Sequence, residues 1–355
     1  MSLATKPGLG LRGDGKLSVG GEYLNWGASY SIRGGLSMKA VRFDHYGDAE
    51  VLNVVEVPRP LAAPGRVVVD VVAAAINLGE AAIRNGSLRD RFPATFPSGE
   101  GSDLAGVVAE LGDGVNEVAV GDEVIGWSDE RSSHAEAVSL PADQVVPKPS
   151  GVPWEAAASL YVAGTTAWAA VKSVGLKPGE VVAISAAAGG VGSIAIQLAR
   201  NLGATVIGIA GRANSGWLES MGTRPVVYGE DLADRLSAAS PEGIDAFIDC
   251  FGAGYVDLAV DELGVPPGRV ETIIDWEAGA RHGAHVDGMS SVDEVGSVIS
   301  HLASLIERGQ LEVPVAATFA LRDVRQAYEL LERRHIRGKI VLITRSEVGF
   351  AGLKA

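Results

Sequence analysis

The sequence predicts an α/β protein in which a doubly wound parallel sheet is combined with a second, β-rich region. Three observations lead to this prediction. Strand-like and helix-like patterns alternate over residues 181–274, which is typical of a parallel sheet with helices on both faces. A glycine-rich turn at residues 187–192 follows the first of these strands and begins a helix. Short β-branched runs separated by turn residues fill residues 39–126 and are typical of a barrel or sandwich.

The β-rich region begins after residue 37 and gives way to a helix near Pro153. Glycine and proline at the ends of the β-branched runs mark the turns between strands. An alanine-rich apolar pattern with helical spacing then predicts one helix over residues 154–174. The predicted strands cover residues 39–43, 51–57, 66–76, 106–111 and 123–126.

The alternating region and the tail follow the same reasoning. Runs rich in valine and isoleucine predict strands, and apolar residues spaced three and four apart predict helices. The predicted strands are 181–185, 205–210, 225–228, 246–250, 270–274, 315–319 and 339–343. The predicted helices are 192–202, 217–221, 292–307 and 324–332.

Composition limits the possible functions. The 355 residues suggest two domains, and an apolar fraction of 47% excludes a mainly disordered chain. The 44 acidic and 30 basic residues give a net charge of −14, which argues against a nucleic-acid partner. Cys250 is the single cysteine, so the chain has no internal disulfide and no cysteine-rich metal site. We therefore expect a cytoplasmic protein.

Two segments bear on targeting and on membranes. Residues 1–37 are rich in glycine and have no apolar signal-peptide core, so we expect a disordered leader or extension. Residues 181–199 carry no charge over a length that could cross a bilayer. Because they divide into a strand, a tight turn and a helix, we expect no membrane association.

The turn at residues 187–192 is the strongest functional signal. Residues 187–192 (AAGGVG) match a dinucleotide fingerprint with alanine in the first glycine place, and the predicted cofactor contacts are Ala188, Gly189, Gly190, Val191 and Gly192. Gly189 would let backbone amides approach a pyrophosphate, and Gly192 would let the helix pack closely on the strand. The helix N-terminus attracts the anion. The alternative is a glycine-rich turn without a ligand.

The end of the second alternating strand predicts the choice of cofactor. A carboxylate there would hold a ribose 2′-hydroxyl, whereas Gly211 is followed by Arg212, which suits a 2′-phosphate. The sequence therefore favours NADPH, although a solvated surface arginine is the alternative. Tyr228, at the end of the third strand, could stack on adenine or bind the phosphate, or be an ordinary strand-end tyrosine.

The order of motifs resembles the medium-chain dehydrogenase/reductase superfamily, and within it the zinc-free quinone oxidoreductase branch. The resemblance covers residues 38–343. Besides the glycine turn, it depends on five segments: AINLGE (75–80), GSDLAGVV (101–108), GDEV (121–124), AGTTA (163–167) and RGKIV (337–341).

The resemblance implies a domain organisation. It implies a Rossmann dinucleotide-binding domain at residues 163–287, inserted into a GroES-like, β-rich substrate domain. That substrate domain is discontinuous and combines residues 38–162 with 288–355. The resemblance also implies a homodimer formed through the nucleotide domains and an active site in the cleft between the two domains.

Two departures from zinc-dependent relatives bear on the chemistry. Those relatives have a cysteine at the position of Asn77 and a histidine at the position of Ser102. Without a metal to stabilise an alkoxide, the easier reaction is hydride delivery to a conjugated acceptor whose developing charge is already delocalised. We therefore expect a zinc-independent, NADPH-dependent reductase of quinones or α,β-unsaturated carbonyls. The alternatives are an enoyl-thioester reductase of a biosynthetic pathway and a catalytically weak NADPH-binding structural protein.

Two residues are candidates for the proton donor. Many relatives have tyrosines five and eleven positions after the position of Asn77, where this chain has Ala82 and Leu88. Asn77 is the first candidate, since its amide can donate to substrate, and a buried loop-tying asparagine is the alternative. Tyr161 could donate a proton or simply pack in the core. Thr166 resembles the family threonine that contacts the cofactor, and an internal helix hydrogen bond is its alternative.

Four other residues are not expected to take part in the reaction. His134 is expected in a surface loop, and His282 and His285 are expected in a mobile loop because no third ligand for a metal is evident. Cys250 is expected to be a small buried apolar residue.

Overall fold

The computed structural model describes residues 37–344 and, before them, only the strand residues Ser18–Val19 and Glu22–Tyr23. Contacts divide the chain into two units, residues 1–35 and 36–355. In the first unit, Ser18–Val19 pairs antiparallel with Glu22–Tyr23. Of the predicted leader at residues 1–37, the structure describes these four residues and Ser37, and the rest of that prediction lies outside the described residues.

The strands are numbered in chain order and most of them lie close to the predicted bounds. They are β1 (Ser18–Val19), β2 (Glu22–Tyr23), β3 (Ser37–Phe43), β4 (Asn53–Pro58), β5 (Arg66–Ala75), β6 (Ser98–Gly99), β7 (Asp103–Leu111), β8 (Glu123–Trp127), β9 (Ala137–Pro141), β10 (Val145–Pro147), β11 (Val181–Ile184), β12 (Thr205–Ala210), β13 (Arg224–Val227), β14 (Ala246–Asp249), β15 (Val270–Thr272), β16 (Val315–Ala320) and β17 (Lys339–Ile343).

The helices are mostly short. They are α1 (Leu78–Arg84), α2 (Trp154–Ala157), α3 (Thr165–Ser173), α4 (Gly192–Asn201), α5 (Ser215–Ser220), α6 (Leu232–Ala239), α7 (Tyr255–Asp257), α8 (Trp276–His282), α9 (Val295–Glu307) and α10 (Val324–Glu332). No helix within the described ranges is long and apolar enough to cross a membrane.

The parallel sheet confirms the predicted fold class. Its five strands run in the order β13-β12-β11-β14-β15, and all of its pairs are parallel. Strands buried on both faces form from short runs of β-branched and small residues, such as Val181–Ile184. The order reverses between β11 and β14, which places a crevice at the carboxyl ends of these strands. The glycine turn follows β11 at this reversal.

The β-rich region contains two sheets. One has the order β10-β8-β7-β5-β17-β16 with β9 on β5, and the other has the order β4-β3-β6. Strand β17, from the end of the chain, pairs antiparallel with β5, so that Val341 lies opposite Ala75. The tail therefore returns to the β region that precedes the parallel sheet.

The helix predicted over residues 154–174 is interrupted. It divides into α2, a π-helical turn at Leu160–Gly164, and α3. The N–H of Val162 bonds to the Asp103 carboxylate at 3.0 Å instead of continuing the α-helical ladder. A Cβ at Gly164 would come within 2.8 Å of Leu302 Cδ1, so the absence of a side chain here lets α9 pack closely. Tertiary contacts thus override the helical pattern.

One continuous apolar core joins the parallel sheet to the larger sheet of the β-rich region. It includes Ile125 of β8, Ile184 of β11, Leu302 of α9 and Val341 of β17, all of which are buried. Because these elements pack together, the glycine turn and the loop after β5 are held in fixed relative positions.

Candidate functional site

The glycine turn presents backbone donors at the start of α4. The N–H groups of Gly190 and Val191 donate to no acceptor in the described part of the chain, whereas Gly189 N–H closes the turn on Ala186 O at 2.8 Å. A Cβ at Gly192 would lie 2.3 Å from Ala186 O. The sequence therefore needs glycine at this point to bring the helix onto the strand. Free N–H groups at a helix N-terminus form a site for a phosphate group.

The closing strand reaches the same turn. Gly338 N–H donates to Ala188 O at 2.8 Å, and Ala188 is itself buried. The side chain of Lys339 passes over the turn, because its Cδ lies 3.0 Å from the position that a Cβ of Gly190 would take. Lys339 was not predicted as a site residue, although the RGKIV segment containing it was one of the family motifs.

Asn77 is held by hydrogen bonds at both ends of its side-chain amide. Nδ2 donates to Asp103 Oδ2 at 2.7 Å and to Glu80 Oε1 at 3.2 Å. Oδ1 accepts from Lys339 Nζ, which also donates to Ile76 O at 3.0 Å. Asn77 is only 7% exposed. Its amide therefore has the internal partners expected of a loop-tying asparagine, at the point where β5 leads into α1.

Asp103 and Lys339 are opposite charges that the amide of Asn77 bridges. Both are buried, and Asp103 Oδ1 also accepts from Val162 N–H. Burial raises the pKa of Asp103 to about 6, while the ammonium of Lys339 acts in the opposite direction. Burial lowers the pKa of Lys339. The arrangement links the loop after β5, the π-helical turn and the closing strand through one buried, hydrogen-bonded network.

A second layer of buried polar groups supports Glu80. Tyr328 donates to Glu80 Oε2 at 2.9 Å, and Arg84 pairs with Glu100 at 3.1 Å. Burial, followed by the charge of Glu80, raises the pKa of Glu100 to about 8. This network could not be predicted from sequence because Tyr328 lies 248 residues after Glu80.

His134 belongs to the buried interior, so the expectation of a surface loop was wrong. It is 1% exposed, and its Nε2 donates to Ala75 O at 3.2 Å. A Cβ at Gly101 would come within 2.1 Å of the imidazole, so glycine at that position makes room for the ring. Burial lowers the pKa of His134, which favours a neutral ring.

Tyr161 and Thr166 flank the position where Val162 bonds to Asp103. The Tyr161 hydroxyl donates to Asp129 Oδ1 at 3.0 Å, and burial together with this carboxylate raises the pKa of Tyr161. Its ring stacks on Trp127, with centroids 5.7 Å apart. Thr166 Oγ1 donates to Val162 O within the helix, which was the alternative considered for it.

The three residues predicted for the 2′-phosphate end lie together. The Tyr228 ring packs against Gly211, with its hydroxyl 3.4 Å from the position of a Gly211 Cβ, and Tyr228 is 48% exposed. Arg212 begins a short 3₁₀ turn after β12. Its exposed guanidinium forms no hydrogen bond or ion pair with the residues described. These are the properties of a side chain that is free to meet a phosphate group.

Arg337 is a cation near this position that the sequence reasoning missed. Its Nε donates to Asn214 Oδ1 at 3.1 Å, and its guanidinium lies 5.4 Å from the centroid of Trp217. Asn214 is in the same 3₁₀ turn as Arg212. The basic run at residues 333–337 is the sequence signal that could have indicated it.

The residues at the zinc positions of related enzymes do not fit a zinc ion. The Asn77 carbonyl oxygen is bonded to the Lys339 ammonium, and Ser102 uses its N–H to bond Glu80 Oε1 at 2.8 Å. Neither an amide nor a serine hydroxyl is a usual zinc ligand. Within the described ranges, one group of three potential ligands is close enough to chelate a metal, and it lies elsewhere, at Asp257, Asp261 and His282.

His282 and His285 both have clear hydrogen-bond partners. His282 Nε2 pairs with Asp257 at 2.7 Å at the end of α8, and His285 bonds Gly268 O at 3.1 Å. The mobile loop expected around these histidines is therefore a helix end followed by a β-bridge to Glu271. Burial raises the pKa of the Cys250 thiol, as expected of an unreactive cysteine.

Two family models match the chain. Residues 63–150 match the alcohol dehydrogenase GroES-like domain, and residues 221–342 match a model described as zinc-binding dehydrogenase. The first contains Asp103, and the second contains Arg337 and Lys339.

Known proteins similar to this chain include quinone oxidoreductases. The Salmonella typhimurium quinone oxidoreductase is 29% identical over 325 residues, which are 85% of this chain and 98% of the relative. The structure of the Coxiella burnetii quinone oxidoreductase has 32% identity and a TM-score of 0.77, covering 87% of this chain and 100% of that one. The structure of the Escherichia coli quinone oxidoreductase complexed with NADPH has 27% identity and a TM-score of 0.77, and the match covers 86% of this chain and 100% of that one.

Proposed function

The chain belongs to the medium-chain dehydrogenase/reductase superfamily, in its quinone oxidoreductase-like branch, and from this premise we propose that it is an NADPH-dependent reductase. It transfers hydride, without zinc, to a quinone or to an α,β-unsaturated carbonyl compound. The observation that carries the proposal is that a phosphate site and a hydrogen-bond donor lie close together. The glycine turn, with its two free N–H groups, contacts the side chain of Lys339, and Lys339 donates a hydrogen bond to Asn77.

The chain's own residues bind the cofactor along the crevice. The N–H groups of Gly190 and Val191 hold the pyrophosphate, and Gly189 leaves room for it to approach. Arg212 binds the 2′-phosphate, with Tyr228 covering the adenosine end beside Gly211. When bound, NADPH supplies the hydride.

Asn77 and Tyr161 are proposed to face the acceptor. Hydride addition to an enone or quinone leaves negative charge on oxygen, so a hydrogen-bond donor near that oxygen lowers the barrier. The Asn77 amide can donate by giving up its longer bond, the 3.2 Å contact with Glu80, while the bond to Asp103 keeps it oriented. The raised pKa of Tyr161 keeps its hydroxyl protonated, and the hydroxyl can donate a hydrogen bond to the acceptor once it gives up its 3.0 Å bond to Asp129.

The finer organisation is part of the same proposal. We propose a nucleotide domain at residues 163–287 inserted into a substrate domain of residues 38–162 and 288–355, with Thr166 near the cofactor at their junction. A cytoplasmic homodimer is proposed from the family resemblance. Sedimentation of the full chain tests the dimer.

An acceptor screen with NADPH and NADH in parallel tests the function. We expect oxidation of NADPH with 1,4-naphthoquinone or with simple enones, and slower oxidation of NADH. The same rates after removal of metals with a chelator are expected for a zinc-independent reaction. Gly189→Ala is the matched control for cofactor binding, since it changes the proposed pyrophosphate site and leaves the acceptor side intact.

Two results would decide against the proposal. Tight binding of NADPH, seen by fluorescence, without turnover of either acceptor class would favour the structural-protein alternative. Turnover restricted to enoyl thioesters would favour the biosynthetic reductase.

A further inference from the structure

Lys339 is a buried ammonium group to which the proposed reaction assigns no chemical role. It is the first residue of β17 and is 4% exposed. In the part of the chain that the structure describes, two other lysine or arginine side chains are buried, Arg84 and Lys148, and each pairs with glutamate. Lys339 forms no ion pair within 4 Å among the same residues. It donates instead to two neutral oxygens, Asn77 Oδ1 and Ile76 O.

The backbone fixes the place of this ammonium group. Gly338, the preceding residue, has a φ of +78°, and a Cβ there would lie 1.9 Å from Pro314 O. Glycine therefore lets the closing strand pass close to that carbonyl, and the N–H of Lys339 donates to it at 2.8 Å. The lysine side chain then lies along Gly190 of the glycine turn. Packing on the turn leaves the side chain little freedom, so the ammonium group is held at Asn77.

The charged groups around Asn77 decide which way its amide points. Nδ2 donates to Asp103 Oδ2 and to Glu80 Oε1. An ammonium group only donates hydrogen bonds and an ionised carboxylate only accepts them. Lys339 can therefore bind only the oxygen of the amide, and the carboxylates bind its nitrogen.

The same groups set the electrostatic field at the amide nitrogen. A donor that lies between two carboxylates is poorly suited to stabilise an oxyanion, because their negative charges repel it. The ammonium of Lys339, bonded to the other end of the same amide, offsets this repulsion. Its effect is large because the site is buried and the local dielectric constant is low. Without the lysine, the Asn77 amide would be held by carboxylates alone.

We infer that Lys339 is a positioning residue of the reductase, which holds the Asn77 amide with its nitrogen as the donor and supplies the charge that keeps this donor effective towards an acceptor oxygen. The inference rests on the proposed function, since it assigns a role within that reaction. Lys339 acts through Asn77 and transfers no proton itself. Its contribution should therefore appear in the hydride-transfer step and disappear when Asn77 is removed.

Lys339→Met tests the role in hydride transfer, since methionine keeps an unbranched apolar side chain and removes the ammonium group. NADPH is kept saturating, so that a change in its affinity does not enter. With 1,4-naphthoquinone we expect the single-turnover rate, followed by NADPH absorbance, to fall at least about tenfold. The KM for the quinone should change by less than about threefold, because the amide acts on charge that develops in the transition state.

Lys148→Met is the matched control for the loss of a buried ammonium group. Lys148 Nζ donates to Glu123 at 2.9 Å, at the start of β8. Asp103 pairs with Trp127 at the other end of that strand, so this lysine lies away from the proposed site. Lys148→Met should lower the Tm, as Lys339→Met does, but should leave the rate of hydride transfer unchanged. A purely structural role of Lys339 would give the same result for both variants.

A double-mutant cycle tests whether Lys339 acts through Asn77. Asn77→Ala alone should slow hydride transfer, and adding Lys339→Met to it should slow the reaction by less than about threefold further. Lys339→Gln, which is neutral and polar, takes the place of the methionine variant in the cycle if that variant does not fold, and we expect the same non-additivity.

The outcomes separate this inference from the proposed function. An unchanged rate in Lys339→Met, or an equal fractional loss with and without Asn77, would overturn the inference and leave the proposed function standing. If the unmodified chain oxidised NADPH with neither quinones nor enones, the proposed function would be wrong and the inference would be wrong with it.

Discussion

Arg212 is the residue that most directly reports the choice of cofactor. Its guanidinium is exposed at the end of β12, beside the Tyr228 ring that packs on Gly211. We expect Arg212→Glu to weaken NADPH binding by about tenfold or more, because a charge-assisted bond to the 2′-phosphate becomes a repulsion. NADH, which has no 2′-phosphate, should change by less than about threefold. Dissociation constants from nicotinamide fluorescence measure both effects.

The same charge reversal at a distant surface position distinguishes a direct contact with the 2′-phosphate from a general effect of net charge on cofactor binding. Arg322→Glu makes the same change at an exposed arginine between β16 and α10, where no cofactor contact is proposed. It should affect both cofactors slightly and equally. If Arg212→Glu also weakened NADPH and NADH equally, the assignment of the 2′-phosphate to Arg212 would be wrong.

Asp103 should give the stability of the protein a recognisable pH dependence. Burial raises its folded-state pKa to about 6 from an ordinary value of 3.8, so the folded chain holds this proton more tightly than the unfolded chain. Unfolding therefore releases a proton between about pH 4 and pH 6, and the contribution of Asp103 to stability falls as the pH rises through that range. Relative to Asp103→Asn, the unmodified chain should lose up to about 3 kcal/mol of unfolding free energy.

Urea unfolding of both proteins from pH 4 to pH 8 measures this difference. Asp103→Asn also misplaces one N–H group near Asn77 or Val162, but that cost is the same at every pH and does not alter the slope. The exposed Asp113→Asn serves as the control and should leave the profile unchanged. A difference between the Asp103 variant and the unmodified chain that stayed constant with pH would show that Asp103 titrates normally.

At the scale of elements, glycine has two different roles in the turn between β11 and α4: Gly192 allows close packing, and Gly189 is proposed to allow the cofactor to approach. A Cβ at Gly192 would lie 2.3 Å from Ala186 O, a backbone atom that cannot move away, whereas at Gly189 the same atom would be 3.2 Å distant. Gly192→Ala should therefore cost about 3 kcal/mol of stability. Gly189→Ala should cost less stability than Gly192→Ala but weaken NADPH binding at least about tenfold, because the fingerprint uses a side-chain-free residue at this place to let the pyrophosphate approach the backbone.

Thermal unfolding and cofactor titration of the two variants distinguish these roles. Gly179→Ala is a useful reference because a Cβ there meets no atom within 4 Å, so it reports only the cost of a φ of +87°. If Gly189→Ala bound NADPH with normal affinity, the proposal that this turn binds the pyrophosphate would be wrong.

The same turn shows which features of the fold can be predicted from local sequence patterns. Its glycines, the strand before it and the helix after it are adjacent in sequence, so spacing was enough to predict them. The partners of Asn77 were not predictable in this way, because Lys339 lies 262 residues away and Asp103 lies 26 away. The same limit applies to the helix predicted through Val162, whose N–H bonds a carboxylate 59 residues earlier. Patterns predict elements, whereas buried polar networks depend on which elements the fold brings together.

The charge of the whole molecule bears on the enoyl-thioester alternative. A net charge of −14 should repel an anionic acceptor over distances comparable to the Debye length, about 30 Å at 10 mM salt and shorter than about 10 Å above 100 mM. Carrier-linked and coenzyme A thioesters bring phosphate groups, whereas an N-acetylcysteamine thioester is neutral. The two kinds of thioester offer the same α,β-unsaturated thioester group to the site, so a difference between them isolates the electrostatic contribution.

We therefore expect kcat/KM for crotonyl-coenzyme A, at saturating NADPH, to rise about fivefold between 10 mM and 300 mM salt as screening weakens the repulsion. The value for the crotonyl N-acetylcysteamine thioester should change by less than about twofold, because a neutral acceptor does not experience the net charge. 1,4-Naphthoquinone, also neutral, is the control for salt effects on the chemistry itself. A fall in kcat/KM for crotonyl-coenzyme A with added salt would instead reveal an attractive basic surface at the acceptor entrance, such as the arginines at residues 333–337 could form. That result would favour the biosynthetic thioester reductase over the quinone and enone reductase.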